Sequence, residues 1–285
     1  MKPIMKPFGL GLGLGLVAIL ATGCAQRAAS GGTPSPSAAR HAVILRIDTA
    51  GGFLAPQAQL RQLPMFALYG DGRLIVPGPQ IEIYPGPALP NLQVRTVSAE
   101  GIRAILAAAR AAGLVGPDRH FDAIRVADAP TTTFTVVADG ARHITSVQAL
   151  GIEQPAPDAS PDEIAARAKL SALQSRLGDL SSWLPAGSLG KESSYRPANL
   201  RVYVFAYTPP QDLMPRTIDW PLGSFRAFQP LPGQAGIRCG TVTGKDLGRV
   251  LAAAGQANEL TPWTADGERW ELVFRPLLPD ESGCR

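Results

Sequence analysis

The sequence predicts an α+β fold, antiparallel sheets with helices packed to one side. Three observations carry the prediction. β-prone runs face each other across Asp-Gly turns at 71–72 and 139–140, and a third such turn at 266–267 leads into another run. Helices with a cap and one apolar face lie between those runs. Two of the helices repeat one pattern at a fixed spacing.

In chain order, residues 41–48 form the first strand, because Val43, Ile44, Leu45 and Ile47 make an apolar run that Gly51-Gly52 breaks. Residues 65–69 and 73–76 flank Gly70-Asp71-Gly72, a turn that tolerates positive φ, and this predicts a hairpin. Ser98 is placed to cap a helix whose inner face is Ile102, Ile105, Leu106 and Ala109, with Gly113 ending it. Residues 131–137 and 142–147 surround Asp139-Gly140 and predict a second hairpin. Ser160, Pro161, Asp162 and Glu163 open a longer helix, with a cap, a proline in the first turn and acids at the positive end of the dipole. Its apolar members Ile164, Leu170, Leu173, Leu177 and Leu180 carry it to about Leu184, where Pro185 stops it.

Residues 187–197 then separate a first α+β unit, 40–186, from a second, 187–285. The second restarts with a strand at 200–207 and crosses an irregular Pro-rich passage to Gly236. Thr243 caps its helix, Leu247, Val250, Leu251 and Ala254 face inward, and Asp266-Gly267 turns the chain into a strand at 269–275. Ser98, Ile102, Ile105, Leu106 and Ala109 align with Thr243, Leu247, Val250, Leu251 and Ala254 at one offset of 145. Leu-Ala-Ala-Ala recurs inside the alignment, which suggests two related strand-strand-helix-strand units.

The first 23 residues read as an export signal: Lys2 and Lys6 give a positive start, and an apolar stretch runs from Phe8 to Leu20. At about 1.5 Å per residue that stretch reaches only about 20 Å, short of a hydrocarbon core of roughly 30 Å. Leu20-Ala21-Thr22-Gly23-Cys24 resembles the lipobox of bacterial lipoproteins, with Ala21 where leucine is usual. The resemblance implies cleavage before Cys24 and a diacylglyceryl group on its sulfur, and two acyl chains hold a protein stably on a membrane. Residues 24–39 are Ala, Gly, Ser and Pro in the main and form a flexible tether. Once Cys24 is lipidated, Cys239 and Cys284 are left as a pair outside the cytosol, where a disulfide is expected. The expected location is the cell membrane, lipid-anchored on its extracytoplasmic face.

Composition excludes little else. The chain holds 27 Lys plus Arg against 23 acids, and removing residues 1–23 takes away Lys2 and Lys6 only, leaving 25 against 23. A net charge of +2 on 262 residues gives no footprint for nucleic acid. Gly9, Gly11, Gly13 and Gly15 miss the dinucleotide-loop spacing, and no cofactor is implied. His41, His120 and His143, with Asp118, Asp122 and Asp128 near the second, match no metal-ligand spacing. No G-x-S-x-G elbow occurs, and Glu82, Asp219 and Glu271 make no assignable acid and base pair. No catalytic residue is therefore assigned.

Residues 76–90 are more suggestive, because two Pro-Gly-Pro units bracket a short alternating segment. Ile81 and Ile83 are expected on one face of a strand, Glu82 and Tyr84 on the other as candidate partner-binding residues, the alternative being a structural crossover whose prolines cap a sheet edge. Trp220, Phe225 and Phe228 in the later Pro-rich passage read as packing. Most of the mature chain is similar to a group of uncharacterised actinobacterial lipoproteins, on Tyr69-Gly-Asp-Gly-Arg73, the Pro-Gly-Pro repeats, Ala149-Leu150-Gly151 and Arg275-Pro-Leu-Leu-Pro-Asp280. That resemblance implies the lipid anchor and brings no activity. The sequence thus reads as a non-enzymatic binding module of the cell envelope, its partner an envelope protein or cell-wall component. An envelope hydrolase with an unrecognised active site is the alternative.

Overall fold

A computed structural model of the chain describes residues 41–122, 126–152, 159–211 and 213–284. The export signal, Cys24 and the tether lie outside the described residues. The first strand, β1 (Val43–Ala50), is followed by a short helix, α1 (Pro56–Arg61). Strands β2 (Phe66–Tyr69), β3 (Arg73–Pro77) and β4 (Leu92–Thr96) lead into helix α2 (Ala99–Ala111). After the edge strand β5 (Arg119–Phe121) comes the hairpin β6 (Thr131–Ala138) and β7 (Ala141–Gln148), then helix α3 (Pro161–Gly178) and the two-residue strand β8 (Ser193–Ser194). These strands make one eight-stranded sheet in the order β5-β7-β6-β1-β2-β3-β4-β8, antiparallel except where β5 meets β7.

The chain crosses to a second sheet at β9 (Asn199–Ala206), the central strand there. Short strands β10 (Ile218–Asp219) and β11 (Gln229–Pro230) precede β12 (Arg238–Thr243), helix α4 (Gly244–Ala254) and the hairpin β13 (Trp263–Ala265) and β14 (Glu268–Pro276). The order is β10-β13-β14-β9-β12-β11. The fold is α+β with two mostly antiparallel sheets.

The turns obey their residues. Asp139-Gly140 and Asp266-Gly267 both take positive φ at both positions, the conformation a tight hairpin needs. In the longer Gly70-Asp71-Gly72 loop only Gly72 is left-handed, and a Cβ there would stand 2.6 Å from the Val97 carbonyl oxygen. The caps at Ser98 and Ser160 form, accepting from the Gly101 and Glu163 amides respectively.

Three expectations need correcting. Helix α3 ends at Gly178, not near Leu184: the indole of Trp183 donates to the Arg176 carbonyl while the Arg176 guanidinium lies over its ring, and a 3-10 turn (Leu180–Ser182) follows. Ile164, expected on the apolar face of α3, is exposed, whereas Leu170, Leu173 and Leu177 are buried. Thr243 stands at the N-cap position of α4 but makes no side-chain cap bond, and Gly244 after it is left-handed.

The internal echo proves local. In each half an antiparallel pair, β3–β4 or β9–β12, runs into an amphipathic helix. The later hairpins attach in reverse: β6, the first strand of its hairpin, joins the central β1, whereas β14, the second of its own, joins β9.

Each sheet has a helix-covered face and a helix-poor one. Leu45, Ile47, Phe66, Leu68 and Phe134 pack under Ile105 and Ala109 of α2 and Leu170, Leu173 and Leu177 of α3. Val202, Val204, Leu272 and Phe274 pack under Leu247, Val250 and Ala254 of α4, with Trp220, Phe225 and Trp263 filling the same core. Trp220 and Phe225 are 3% and 1% exposed with ring centroids 4.8 Å apart, so these aromatics are core. On the opposite faces, Ala67, Tyr69 and Ile75 of the first sheet meet Leu63 and Leu278, while Tyr203, Phe205 and Val273 of the second meet Leu60 and Cys284. Helix α1 and the C-terminal tail after β14 thus form a middle layer, and the functional surfaces lie at its rim.

Candidate functional site

The segment after β3 is not a strand. Among residues 78–84 no ladder forms, and Ile81, Ile83 and Tyr84 are 64%, 58% and 76% exposed, with Glu82 exposed between them. The alternation expected to separate Ile81 and Ile83 from Glu82 and Tyr84 fails, because prolines at 77, 79, 85 and 87 remove the amides a ladder would use. All four side chains reach solvent.

The loop is nevertheless braced at its base. Gly78 donates its amide to the Asn91 carbonyl at 2.9 Å, and the Asn91 side chain donates to the Pro79 carbonyl at 2.8 Å. At the far end Gly86 donates to Glu259 Oε1 at 3.2 Å, the Glu259 amide donates back to the Gly86 carbonyl at 2.9 Å, and Ala88 donates to the Ala257 carbonyl. Three large apolar side chains are therefore held in water on a loop fastened to both sheets.

Arg61, the last residue of α1, reaches the same place. Its Nη1 donates to Glu259 Oε2 at 2.8 Å, so both Glu259 oxygens are engaged, one by a guanidinium and one by an amide. A cleft of about 340 Å³ opens on one side of this pair, walled by Leu63, Pro77, Ile81, Pro87, Leu89 and Pro90. A cleft of about 570 Å³ opens on the other, between α1 and β14, walled by Ala55, Gln57, Ala58, Leu260 and Glu271. Burial raises the pKa of Glu271 above the usual carboxylate range, although the Gln57 hydrogen bond and the Arg61 charge pull the other way. A third cleft, about 400 Å³, lies below the end of α3 over Met65, Leu74 and Leu177, with the Arg95–Glu192 ion pair among its lining residues.

Deeper in the middle layer sits a cluster of charges. Arg46 binds Asp48, Asp280 and Glu281 at 2.8–2.9 Å. Arg275 holds both oxygens of Glu281 at 2.7 Å and donates to the Gln62 carbonyl. The fully buried Tyr69 donates its hydroxyl to Asp280 at 2.6 Å, and burial together with that bond raises its pKa. Burial pushes the Glu281 carboxyl up, but the Arg275 and Arg46 guanidiniums and the Leu278 amide overcome it and hold the pKa at about 2. Charged groups in this cluster are matched by neighbours, so the arrangement clasps the tail and leaves nothing poised to react. Cys239 and Cys284 form a disulfide, Cα atoms 5.9 Å apart, that fastens the end of the same tail.

The histidines do not converge. His143 Nδ1 lies 2.7 Å from the Gly116 carbonyl oxygen, and His120 stands 3.8 Å from Asp122 at a sheet edge. Among the described residues no three metal-ligating side chains share a site. None of the helices there is long and apolar enough to cross a membrane.

The sequence singles out residues 76–90 and the cysteine pair, and gives no sign of the two clefts beside Arg61. Arg61 and Glu259 are 198 residues apart, and no local spacing announces their pairing. Glu271 was visible only as one of several scattered carboxylates. Comparison of the chain with protein-family models, with curated proteins and with solved structures finds no match among any of them.

Proposed function

We propose that this chain is a non-enzymatic binding module of the cell envelope, held at the extracytoplasmic face of a membrane through lipid on Cys24. It engages an envelope partner with the loop at 78–90. The single observation that carries the reading is the exposure of Ile81, Ile83 and Tyr84 on a loop whose ends are both hydrogen-bonded to the body. Apolar side chains left in water are accounted for by a partner that covers them, and a braced loop loses little conformational freedom on binding. The disulfide supports the extracytoplasmic location.

The rival reading is an envelope hydrolase, and it draws on two carboxylates, Glu259 and Glu271, on either side of Arg61. Against it, Glu259 is engaged at each oxygen, by the Arg61 guanidinium and by the Gly86 amide, and so braces the loop as a structural ion pair. Binding is the better reading.

Affinity capture from detergent-solubilised envelopes, with the full chain as bait, tests it. One partner is expected to recur with the wild-type chain and to fall at least about fivefold with Ile83→Asp or Tyr84→Ser, an effect near 1 kcal/mol or more for an interface anchor. Both variants are expected to melt within about 0.5 kcal/mol of wild type, since neither side chain is packed. A capture profile identical for wild type and variants would remove the loop from recognition. Intact-mass measurement of native protein is expected to give a chain beginning at a diacylglyceryl-modified Cys24.

A further inference from the structure

The two clefts beside Arg61 share that residue and Glu259 as a common wall, so they abut across one ion pair. Their ends differ in chemistry. The end toward the loop is stiff, with Leu63, Ile81 and Leu89 set among prolines that offer no amide donors, and Gln80 beside them. The end toward β14 sets Ala55, Ala58 and Leu260 beside Gln57, Gln62 and Glu271. In the groove the charges of Arg61 and Glu259 cancel, and Glu271 is left with a hydrogen bond from Gln57 and the more distant field of Arg61. Its carboxylate is partly stripped of water without a cation of its own.

We propose that the two clefts act as one groove for an extended segment of a partner polypeptide, with an apolar side chain in the proline-walled end and a basic side chain against Glu271. The inference rests on the binding reading above and names the partner's chemistry. Three features select this occupant. An ion pair at the middle of the groove suits an elongated ligand, because the polar peptide backbone crosses the charged middle while its side chains enter the cleft at either end. A cation at Glu271 supplies the charge that the site lacks, and the raised pKa of that carboxyl agrees with the deficit. Ile81, on the rim of the proline-walled end, belongs to the exposed loop, so groove and loop form one continuous surface.

The test uses the full chain in lipid nanodiscs and an array of short peptides. Each peptide carries one leucine and one arginine separated by zero to four alanines, in both orders, with a matched set carrying glutamate for arginine. At least one spacing is expected to bind, and its glutamate counterpart to bind roughly tenfold more weakly or not at all. Glu271→Gln is expected to cost about tenfold in affinity for that peptide. It should keep or raise the melting temperature, since a desolvated carboxylate is replaced by a neutral amide. Ile81→Asp, at an exposed position that folding does not need, is expected to weaken the same peptide at the other end. Equal binding of the arginine and glutamate sets, or unchanged affinity in Glu271→Gln, would overturn the groove. If the array is flat while envelope capture still returns a partner that depends on Tyr84, the groove alone fails; if capture returns no partner, the binding reading itself fails. Peptide that is cut by the wild-type chain and spared by Glu271→Gln would replace binding with hydrolysis.

Discussion

Glu281→Ala is expected to destabilise the chain by about 3–5 kcal/mol, the largest effect of any single substitution proposed for this protein. The residue touches two guanidiniums, Arg275 through both oxygens and Arg46 through one, and it accepts the Leu278 amide as well. Removing it leaves two poorly hydrated cations, Arg46 still paired with Asp48 and Asp280 and Arg275 stripped of the carboxylate it holds, so the cost is the uncompensated charge as well as the lost bonds. Thermal unfolding should report a fall on the order of 10 °C, given about 2–4 °C per kcal/mol for a chain of this size. Glu281→Gln keeps the shape and one acceptor and should fall between. The same site predicts a pH dependence. The folded pKa near 2 lies below the ordinary value of 4.5, so the stabilisation is complete above pH 4.5 and is lost as the pH falls toward 2. That shift corresponds to about 3 kcal/mol. Acid unfolding of wild type should steepen across that window, and the Glu281→Ala profile should be flatter there; parallel profiles would show that the clasp contributes no linkage.

What the sequence made legible were features decided within a few residues. Ser98 and Ser160 cap because a hydroxyl before a helical run is close enough to reach the amide three residues on, and Asp139-Gly140 and Asp266-Gly267 turn because Asp and Gly tolerate positive φ. Thr243 shows the limit of that logic: the residue type is right, yet the backbone enters α4 through a left-handed Gly244 and the hydroxyl is not used. The Ile81 and Ile83 alternation predicts a strand because period two is the strand signature, but alternation says nothing about whether a neighbouring edge exists to pair with. The flanking prolines decided otherwise. Groove and clasp were out of reach for a different reason. Arg46 meets Glu281 across 235 residues and Arg61 meets Glu259 across 198, and only the stacking of both sheets on the middle layer brings them together. The resemblance that singled out Tyr69 and the run from Arg275 to Asp280 touched three members of the clasp without indicating that they meet.

Replacing Cys239 and Cys284 together by alanine is expected to cost about 4 kcal/mol, since the chain-entropy relation gives that value for the 45-residue separation the bridge closes. The structural consequence should be local before it is global. Between the bridge and β14 the tail is held by Arg201, which donates to the Ser282 and Gly283 carbonyls, by Tyr195, which donates to the Leu277 carbonyl, and by the Glu281 clasp. Without the bridge the tail can peel from Cys284 inward, and amide exchange at residues 278–284 should accelerate ahead of that in β9 and β14. Because Glu281 lies three residues from Cys284, the two fastenings hold one segment. In the bridged protein Glu281→Ala strands two guanidiniums under a tail that cannot leave. Without the bridge the tail detaches, water reaches Arg46 and Arg275, and the same substitution costs less. A double-mutant cycle should therefore be less than additive, by about 0.5–3 kcal/mol, the range found for residues in one network. Additivity to within about 0.5 kcal/mol would mean that the tail does not open as a unit, and the two sheets would then be held together mainly by α1 and the apolar contacts of the middle layer.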